Sequence, residues 1–191
     1  RAEVTVINRP HDPSEANAED RFERVQRLRV FHVSTNSVGL RGPELDNPKE
    51  KFRIICAGDS VTFGWGVSYD ESYPARLQQT FQQEGREIEV VNAGVPAMKP
   101  SSLANWVTAQ AANWQADLIV LARRPDYQSP QPLEELKATM DIIQKLTSLP
   151  VALVLPPVST FDVKGSQAYE GEYSWLKENG NFPVMDLTQT F

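Results

Sequence analysis

Short apolar runs alternate with amphipathic stretches along the chain from Phe52 to its end. Each run has about the length of a strand and is nearly all apolar: FRIICAG (52–58), IEVVNAG (88–94), DLIVLAR (117–123), VALVLPP (151–157) and FPVMDLT (182–188). Uninterrupted apolar character over such lengths is typical of parallel strands whose two faces are both covered. These runs therefore predict the strands of a mostly parallel sheet.

The stretches between the apolar runs predict helices, and they read YPARLQQTFQQEG, SSLANWVTAQAANWQ, PLEELKATMDIIQKLTS and AYEGEYSWLKENG. In the third stretch, apolar residues recur at helical spacing and mark one buried face: Leu133, Leu136, Met140, Ile143 and Leu146. Candidate caps and stops agree with these helices: Ser101 and Ser102, Pro132, Gly85 and Gly180. Repeated strand–helix–strand units predict an α/β fold with three α/β/α layers and a doubly wound, flavodoxin-like sheet of five strands.

The first fifty residues differ from the rest because they are polar and rich in proline and asparagine, with charge crowded into EDRFERVQRLR. We predict that residues 1–50 form an extended arm with little regular structure and that residues 51–191 form one α/β domain. The chain starts on Arg1 and stops on Phe191 soon after an apolar run, which is compatible with a processed or trimmed piece of a longer protein.

Composition and charge narrow the classes of partner. The chain has 191 residues, 40% of them hydrophobic, which is enough for one good core. A net charge of -6 opposes nucleic acid and anionic lipid surfaces by long-range repulsion, so we predict no nucleic-acid partner. No apolar run approaches the ~20 residues of a membrane span. The lone cysteine, Cys56, lies inside an apolar run and is predicted to fill the core.

Candidate chemistry is concentrated where the first apolar run ends, at GDSVTFGWG. Ligands of open α/β sheets bind beyond the carboxyl ends of the strands. Gly58 lets the chain bend off the strand, and Ser60 falls where a helix begins, with backbone N–H groups able to face a developing negative charge. The glycine spacing matches neither a dinucleotide fingerprint nor a phosphate-binding P-loop. A purely structural alternative remains, in which Asp59 and Ser60 only cap the turn and hydrogen-bond local backbone.

The same stretch resembles the first block of the SGNH, or GDSL-like, hydrolase family, through Gly58, Asp59, Ser60, Thr62 and Gly64. The phrase TNSVGLRGPE (35–44) looks like a lead-in of bacterial members, and VVNAGVPA supplies a second-block glycine, Gly94. The resemblance covers about residues 35–191 and implies an SGNH-hydrolase-like fold.

What the resemblance implies is ester hydrolysis through an acyl-enzyme, with Ser60 as the nucleophile. The N–H groups of Ser60 and Gly94 would contribute to the oxyanion hole, and Asp59 would organise the turn. No metal or organic cofactor is implied. The substrate would be an O-acyl ester of a carbohydrate or a small lipid-like ester. Bacterial members of this type are often exported, so the resemblance also implies an extracytoplasmic location, with any membrane tether outside this chain.

The late D-x-x-H block that supplies the family's general base has no match in this chain. Asp186 is followed three positions later by Gln189, which cannot accept a proton, and the only histidines, His11 and His32, lie in the polar arm.

The third block, G-x-N-D, is altered as well. Arg123 and Pro125 occupy the glycine and asparagine positions, with Asp126 retained. Proline has neither an amide side chain nor an N–H, so one oxyanion donor is lost.

Three interpretations stay open. The first is a working serine esterase whose terminal segment, with the aspartate and histidine, is missing from the chain as given and whose third-block donor is supplied differently. In this interpretation Trp65 lines an acyl or sugar pocket. The second is a catalytically impaired relative that binds a carbohydrate or an anionic ligand, with Arg123 and Arg124 holding the anion; the bland alternative for this pair is a solvated loop. The third is a non-enzymatic interaction domain that presents the arm, Trp65, Tyr69 and Tyr73. The other tryptophans are predicted to pack in the core: Trp106, Trp114 and Trp175.

Overall fold

A computed structural model describes residues 3–8, 29–122, 131–146, 148–155, 163–179 and 183–186. The strands are β1 (Glu3–Asn8), β2 (Arg29–Ser34), β3 (Phe52–Gly58), β4 (Ile88–Gly94), β5 (Leu118–Ala122), β6 (Val151–Leu155) and β7 (Val184–Asp186). The helices are α1 (Ser60–Phe63), α2 (Tyr73–Gln83), α3 (Pro100–Ala111), α4 (Pro132–Leu146) and α5 (Val163–Asn179), with a 3₁₀ turn at Tyr69–Glu71.

Strands β3 to β7 form one parallel five-stranded sheet in the order β4-β3-β5-β6-β7. The predicted α/β class and parallel sheet are therefore confirmed. The chain runs from β3 outward to β4 and then crosses back to pair β5 with the other side of β3, so the winding direction reverses between β3 and β5. Such a reversal opens a crevice at the carboxyl edge of a doubly wound sheet. The turn that carries Ser60 leaves β3 at this crevice.

Helices cover both faces of the sheet. On one face, α2 packs over a small cluster that includes Ile54, Cys56 and Val90. On the other face, a larger cluster joins sheet residues to apolar side chains of three helices, among them Val107 of α3 and Met140 of α4. Along β3, Ile54 and Cys56 point into the small cluster, and Ile55 and Ala57 point into the large one. A strand that is buried on both faces requires this alternation.

Core predictions from the sequence hold for the cysteine and the tryptophans. Cys56 is fully buried, and Trp114 is 4% exposed. Trp106 packs edge to face on Trp114 with ring centroids 5.0 Å apart, and Trp175 packs against the same core.

The arm is more regular than the prediction of little regular structure, because β1 and β2 pair as an antiparallel ribbon. The physical reason is the composition of EVTVIN and RVFHVS, which are rich in the β-branched and aromatic residues that favour strands and carry polar residues between apolar ones. Phe31 and Val33 are buried, whereas His32 and Ser34 are exposed. The division into an arm at 1–50 and a domain at 51–191 stays a prediction.

One predicted cap is wrong. Helix α3 begins at Pro100 with Lys99 as its N-cap, so Ser101 and Ser102 lie inside the first turn rather than at the cap. Proline is favoured at the first helical position because its missing N–H has no partner there anyway.

The predicted helix stop at Gly85 agrees with the structure. Gly85 follows the end of α2 with φ +69°, which is the left-handed conformation that commonly ends a helix. Among the helices of the described residues, none combines the length and the hydropathy that a membrane-spanning segment needs.

Candidate active site

Residues 59–67 form the candidate nucleophile turn, which leaves β3 at the carboxyl edge of the sheet. Asp59 is the N-cap of α1, and its carboxylate accepts the Val61 N–H at 2.8 Å. Ser60 is the first helical residue and is half-buried. None of the described residues hydrogen-bonds the Ser60 hydroxyl, so that oxygen is open to a reactant. Asp59 thus caps the start of the turn, and its role as an organiser of the site stays a prediction.

Gly58 is needed because Thr62 folds back over it. A Cβ at this position would overlap Thr62 Oγ1 and would lie 2.9 Å from the Ala122 carbonyl oxygen. Thr62 itself is fully buried, with its hydroxyl 3.4 Å from the hydroxyl of Tyr73. Burial raises the pKa of Tyr73 well above its ordinary value, so the phenol stays protonated and acts as a neutral hydrogen-bonding group.

The two glycines around Trp65 are required by backbone conformation. Gly64 (φ +81°) and Gly66 (φ +86°) both lie in the left-handed region, where a side chain is costly. Gly64 ends α1 by donating its N–H to Ser60 O at 3.0 Å, and the Trp65 N–H donates to the same carbonyl at 2.9 Å. The glycine-rich sequence therefore closes the turn onto the carbonyl oxygen of Ser60.

Gly94 ends β4 and is in register with Gly58. A Cβ on Gly94 would overlap the Phe63 nitrogen and lie 2.6 Å from Phe63 Cα, so α1 packs directly on the backbone of β4. The Gly94 N–H donates to Asn92 Oδ1 at 3.0 Å, so this donor is engaged by a side chain. The role of Gly94 as an oxyanion donor stays a prediction, and it requires Asn92 to release the N–H.

Asn92 is a site residue that sequence reasoning missed. It is 1% exposed, and its Nδ2 donates to Phe63 O at 3.3 Å. The available signal was a polar residue two positions before the end of a largely apolar strand. A buried amide needs hydrogen-bond partners, and only the fold shows which ones it has.

Trp65 is 43% exposed and packs edge to face on Phe31 of β2, with ring centroids 5.4 Å apart. Its ring also lies 6.2 Å from that of Phe63. Val61, one helical turn before Trp65, is 41% exposed. The turn thus exposes an apolar side chain directly after Ser60, at Val61, and a second one at Trp65. That this surface lines an acyl or sugar pocket stays a prediction.

The general base is not found at the turn among the described residues. Phe31 and Val33 of β2 are buried while His32 is exposed, so the imidazole lies on the face of the ribbon opposite the Phe31 contact with Trp65. Asp186 ends β7 at the carboxyl edge. Several residues of the sequence argument lie outside the described residues: His11, Arg123, Arg124, Pro125, Asp126 and Gln189.

A second unanticipated feature at this edge is Ala97, which follows β4 with φ +62°. A non-glycine residue in the left-handed region stores strain, and such residues cluster at functional sites. The sequence carries no signal for it. In the described parts of the chain, no cluster of three or more histidine, cysteine or acidic side chains could hold a metal ion.

Among the solved structures that superpose on this chain are esterases and lipolytic proteins of the SGNH/GDSL family. The esterase AlinE4, an SGNH-hydrolase family member, superposes with a TM-score of 0.56 at 23% identity, over 72% of this chain and 76% of that chain. A Desulfitobacterium hafniense DCB-2 protein assigned to the G-D-S-L family of lipolytic proteins gives 0.57 at 26% identity, over 72% and 78%. The acetyl xylan esterase AlAXEase gives 0.56 at 18% identity, over 72% and 77%.

The fold of this chain is thus the fold of SGNH/GDSL esterases and lipolytic proteins, as the resemblance of the sequence implies. No protein-family profile matches the chain, and no curated protein matches it. The assignment therefore rests on the fold.

Proposed function

We propose that the protein is a serine ester hydrolase of SGNH type in which Ser60 is the nucleophile. The observation that carries the proposal is the position of this hydroxyl: half-buried, without a hydrogen-bond partner among the described residues, and on the first residue of a helix at the crevice of the sheet. Backbone N–H groups at a helix start can stabilise the oxyanion of a tetrahedral intermediate. The likeness in fold to solved SGNH esterases supports the same chemistry.

In the proposed reaction, Ser60 Oγ forms a bond to the ester carbonyl carbon while its proton passes to a general base. The tetrahedral intermediate collapses, the alcohol leaves with that proton, and the acyl group stays on Ser60. Water then attacks the acyl-enzyme, which releases the carboxylic acid and restores the hydroxyl. We assign the oxyanion donors to the N–H of Ser60 and, once Asn92 releases it, the N–H of Gly94.

For the substrate, we propose an O-acyl ester with a short or medium apolar acyl group, on a carbohydrate or a small lipid-like alcohol. The exposed side chains of Val61 and Trp65 support this class, because an apolar surface next to the nucleophile favours an apolar acyl group or the face of a sugar ring. That a protein of the same fold is an acetyl xylan esterase supports the carbohydrate option.

The test is hydrolysis of p-nitrophenyl acetate, butyrate and octanoate, beside release of acetate from acetylated xylooligosaccharides. Ser60→Ala should abolish activity above buffer background, because the attacking oxygen is removed. The matched control is Ser68→Ala, which removes the exposed hydroxyl of the N-cap of the 3₁₀ turn. Loss of this cap should lower the stability slightly, and the folded protein should keep full activity. Activity that is unchanged in Ser60→Ala would overturn the proposed nucleophile.

Adding imidazole separates a complete enzyme from an impaired one. A complete enzyme hydrolyses the ester in plain buffer, whereas a chain that has the nucleophile and lacks the base shows Ser60-dependent release only when imidazole supplies one. The rate with Ser60→Ala is subtracted, since imidazole alone attacks activated esters. Absence of Ser60-dependent release in both buffers would contradict hydrolysis and favour the ligand-binding interpretation.

A further inference from the structure

Arg41 contacts the nucleophile turn from the segment that follows the ribbon. Its side chain is buried, at 3% exposure, and its two terminal nitrogens bind three backbone carbonyl groups of the turn. Nη1 donates to Phe63 O at 2.5 Å and to Gly64 O at 2.7 Å, and Nη2 donates to Val67 O at 2.8 Å. The guanidinium therefore spans the carbonyls on both sides of Trp65.

The neighbours of Arg41 are unusual for a buried cation. None of the described residues forms an ion pair with it, and its Nε is buried without a hydrogen-bond partner among them. Burial lowers the pKa of this guanidinium, whereas the nearby Tyr69 raises it. The ring of Phe63 lies below the guanidinium carbon, 4.8 Å from it. Burying a charge in this way is costly, and the hydrogen bonds to three backbone carbonyls of the turn offset part of that cost.

The backbone of Arg41 is tied to the other half of the site. Arg41 forms an antiparallel bridge with Asn92 of β4, whose side chain contacts both Phe63 O and the Gly94 N–H. One residue thus connects the edge strand that ends on Gly94 with the turn that begins on Asp59. A planar guanidinium can bind several carbonyls in fixed directions, which the single ammonium of a lysine cannot do.

We propose that Arg41 is a positioning residue, which fixes the turn so that the Ser60 hydroxyl is held in one place against the end of β4. The inference rests on the function proposed above for Ser60, because a positioned nucleophile matters only to a reaction. Arg41 does not touch the reacting atoms. Its effect passes through the carbonyls of Phe63, Gly64 and Val67 to the helix that carries Ser60.

The experiment compares Arg41→Lys with Arg53→Lys. Arg53 is the matched control because it is equally buried, at 2% exposure, and binds two carbonyls, yet it lies at the amino end of β3, away from Ser60. Arg41→Lys should lower kcat for p-nitrophenyl butyrate by about 100-fold with little change in KM, since a misplaced nucleophile costs about that factor. Arg53→Lys should lower the thermal midpoint and leave kcat unchanged.

A second readout does not depend on catalysis. The amides of Gly64 and Trp65 both donate to Ser60 O, so their hydrogen exchange reports closure of the turn. Exchange at these two amides should rise at least tenfold in Arg41→Lys and stay unchanged in Arg53→Lys. Arg41→Met, which removes the charge and keeps the length, should behave as Arg41→Lys does.

The outcomes separate the two proposals. If the wild-type protein shows no Ser60-dependent hydrolysis, the proposed function fails, and the exchange measurement alone decides whether Arg41 holds the turn. If the wild type is active and Arg41→Lys keeps its kcat, or loses it only as much as Arg53→Lys does, the positioning role is overturned. Unchanged exchange at Gly64 and Trp65 in Arg41→Lys overturns it as well.

Discussion

Substituting Gly94 by alanine tests the packing that places Ser60. The added Cβ would lie 2.6 Å from Phe63 Cα and 2.7 Å from the Thr62 carbonyl carbon, and it would overlap the Phe63 nitrogen. All three neighbours are backbone atoms, so no side chain can rotate away. Restoring a normal carbon contact of ~3.5 Å requires α1 to withdraw from β4 by roughly 1 Å.

The expected cost follows from that displacement. Overpacking a tight contact destabilises a protein by about 1–3 kcal/mol, and a backbone neighbour places Gly94→Ala at the upper end of this range. A shift of about 1 Å in the nucleophile also predicts a fall of about 100-fold in kcat. Because alanine keeps its N–H, the loss would come from displacement of the turn and not from removal of an oxyanion donor.

The assay is urea unfolding followed by ester hydrolysis, with two alanine substitutions as controls. Gly171 lies in an exposed position of α5 with open space around its Cβ, so Gly171→Ala should stabilise the protein by about 0.5–1 kcal/mol. Gly85 also has open space but φ +69°, so Gly85→Ala should cost about 1–2 kcal/mol through backbone strain alone. A Gly94→Ala variant as stable and as active as the wild type would refute the contact between α1 and β4.

Three further predictions concern strain, pH and the base. Ala97→Gly should raise the free energy of unfolding by up to about 1 kcal/mol, because glycine adopts φ +62° without strain. The control is Ala112→Gly at φ -66°, which should lower the free energy of unfolding by about 0.5–1 kcal/mol. Urea unfolding measures both changes. Burial raises the pKa of Cys56 from 9.0 to about 12, so the unfolded chain loses that proton first and stability falls as pH rises from about 9 to 12. Urea unfolding at pH 8 and pH 10 should show this fall, and an equally steep fall in Cys56→Ala would contradict it. His32→Ala should leave ester hydrolysis unchanged, because the exposed imidazole faces away from the turn; a loss of kcat would show that the ribbon supplies the base.

The central strands of the fold were predictable because a strand that is buried on both faces needs apolar residues at successive positions, which appear in the sequence as continuous apolar runs. Strands β3 and β4 match the runs at 52–58 and 88–94, and Leu136, Met140 and Ile143 of α4 are buried as their spacing predicts. Helix α5 begins at Val163, several residues before its predicted stretch, since a helix start without a clear apolar face leaves little pattern to read.

The turn around Ser60 was also predictable, since glycines at 58, 64 and 66 mark positions where a side chain would clash or where φ is positive. The residues that hold the turn were not. Arg41 donates to backbone carbonyls 22 to 26 positions away, and Asn92 Nδ2 donates to one 29 positions away. No local pattern reveals such pairs. An arginine in a polar segment is ordinarily predicted to be exposed, and only the fold shows that Arg41 is buried.

The most direct measurement of the central claim is covalent labelling with ethyl p-nitrophenyl methylphosphonate. Attack by Ser60 Oγ forms a bond to phosphorus and expels p-nitrophenolate, so release of the yellow product and the gain in protein mass should match one to one. Peptide mapping should place the single adduct on Ser60 within residues 54–76, with none in Ser60→Ala. An unlabelled protein, or an adduct on Ser68 or Ser72 instead, would contradict the account.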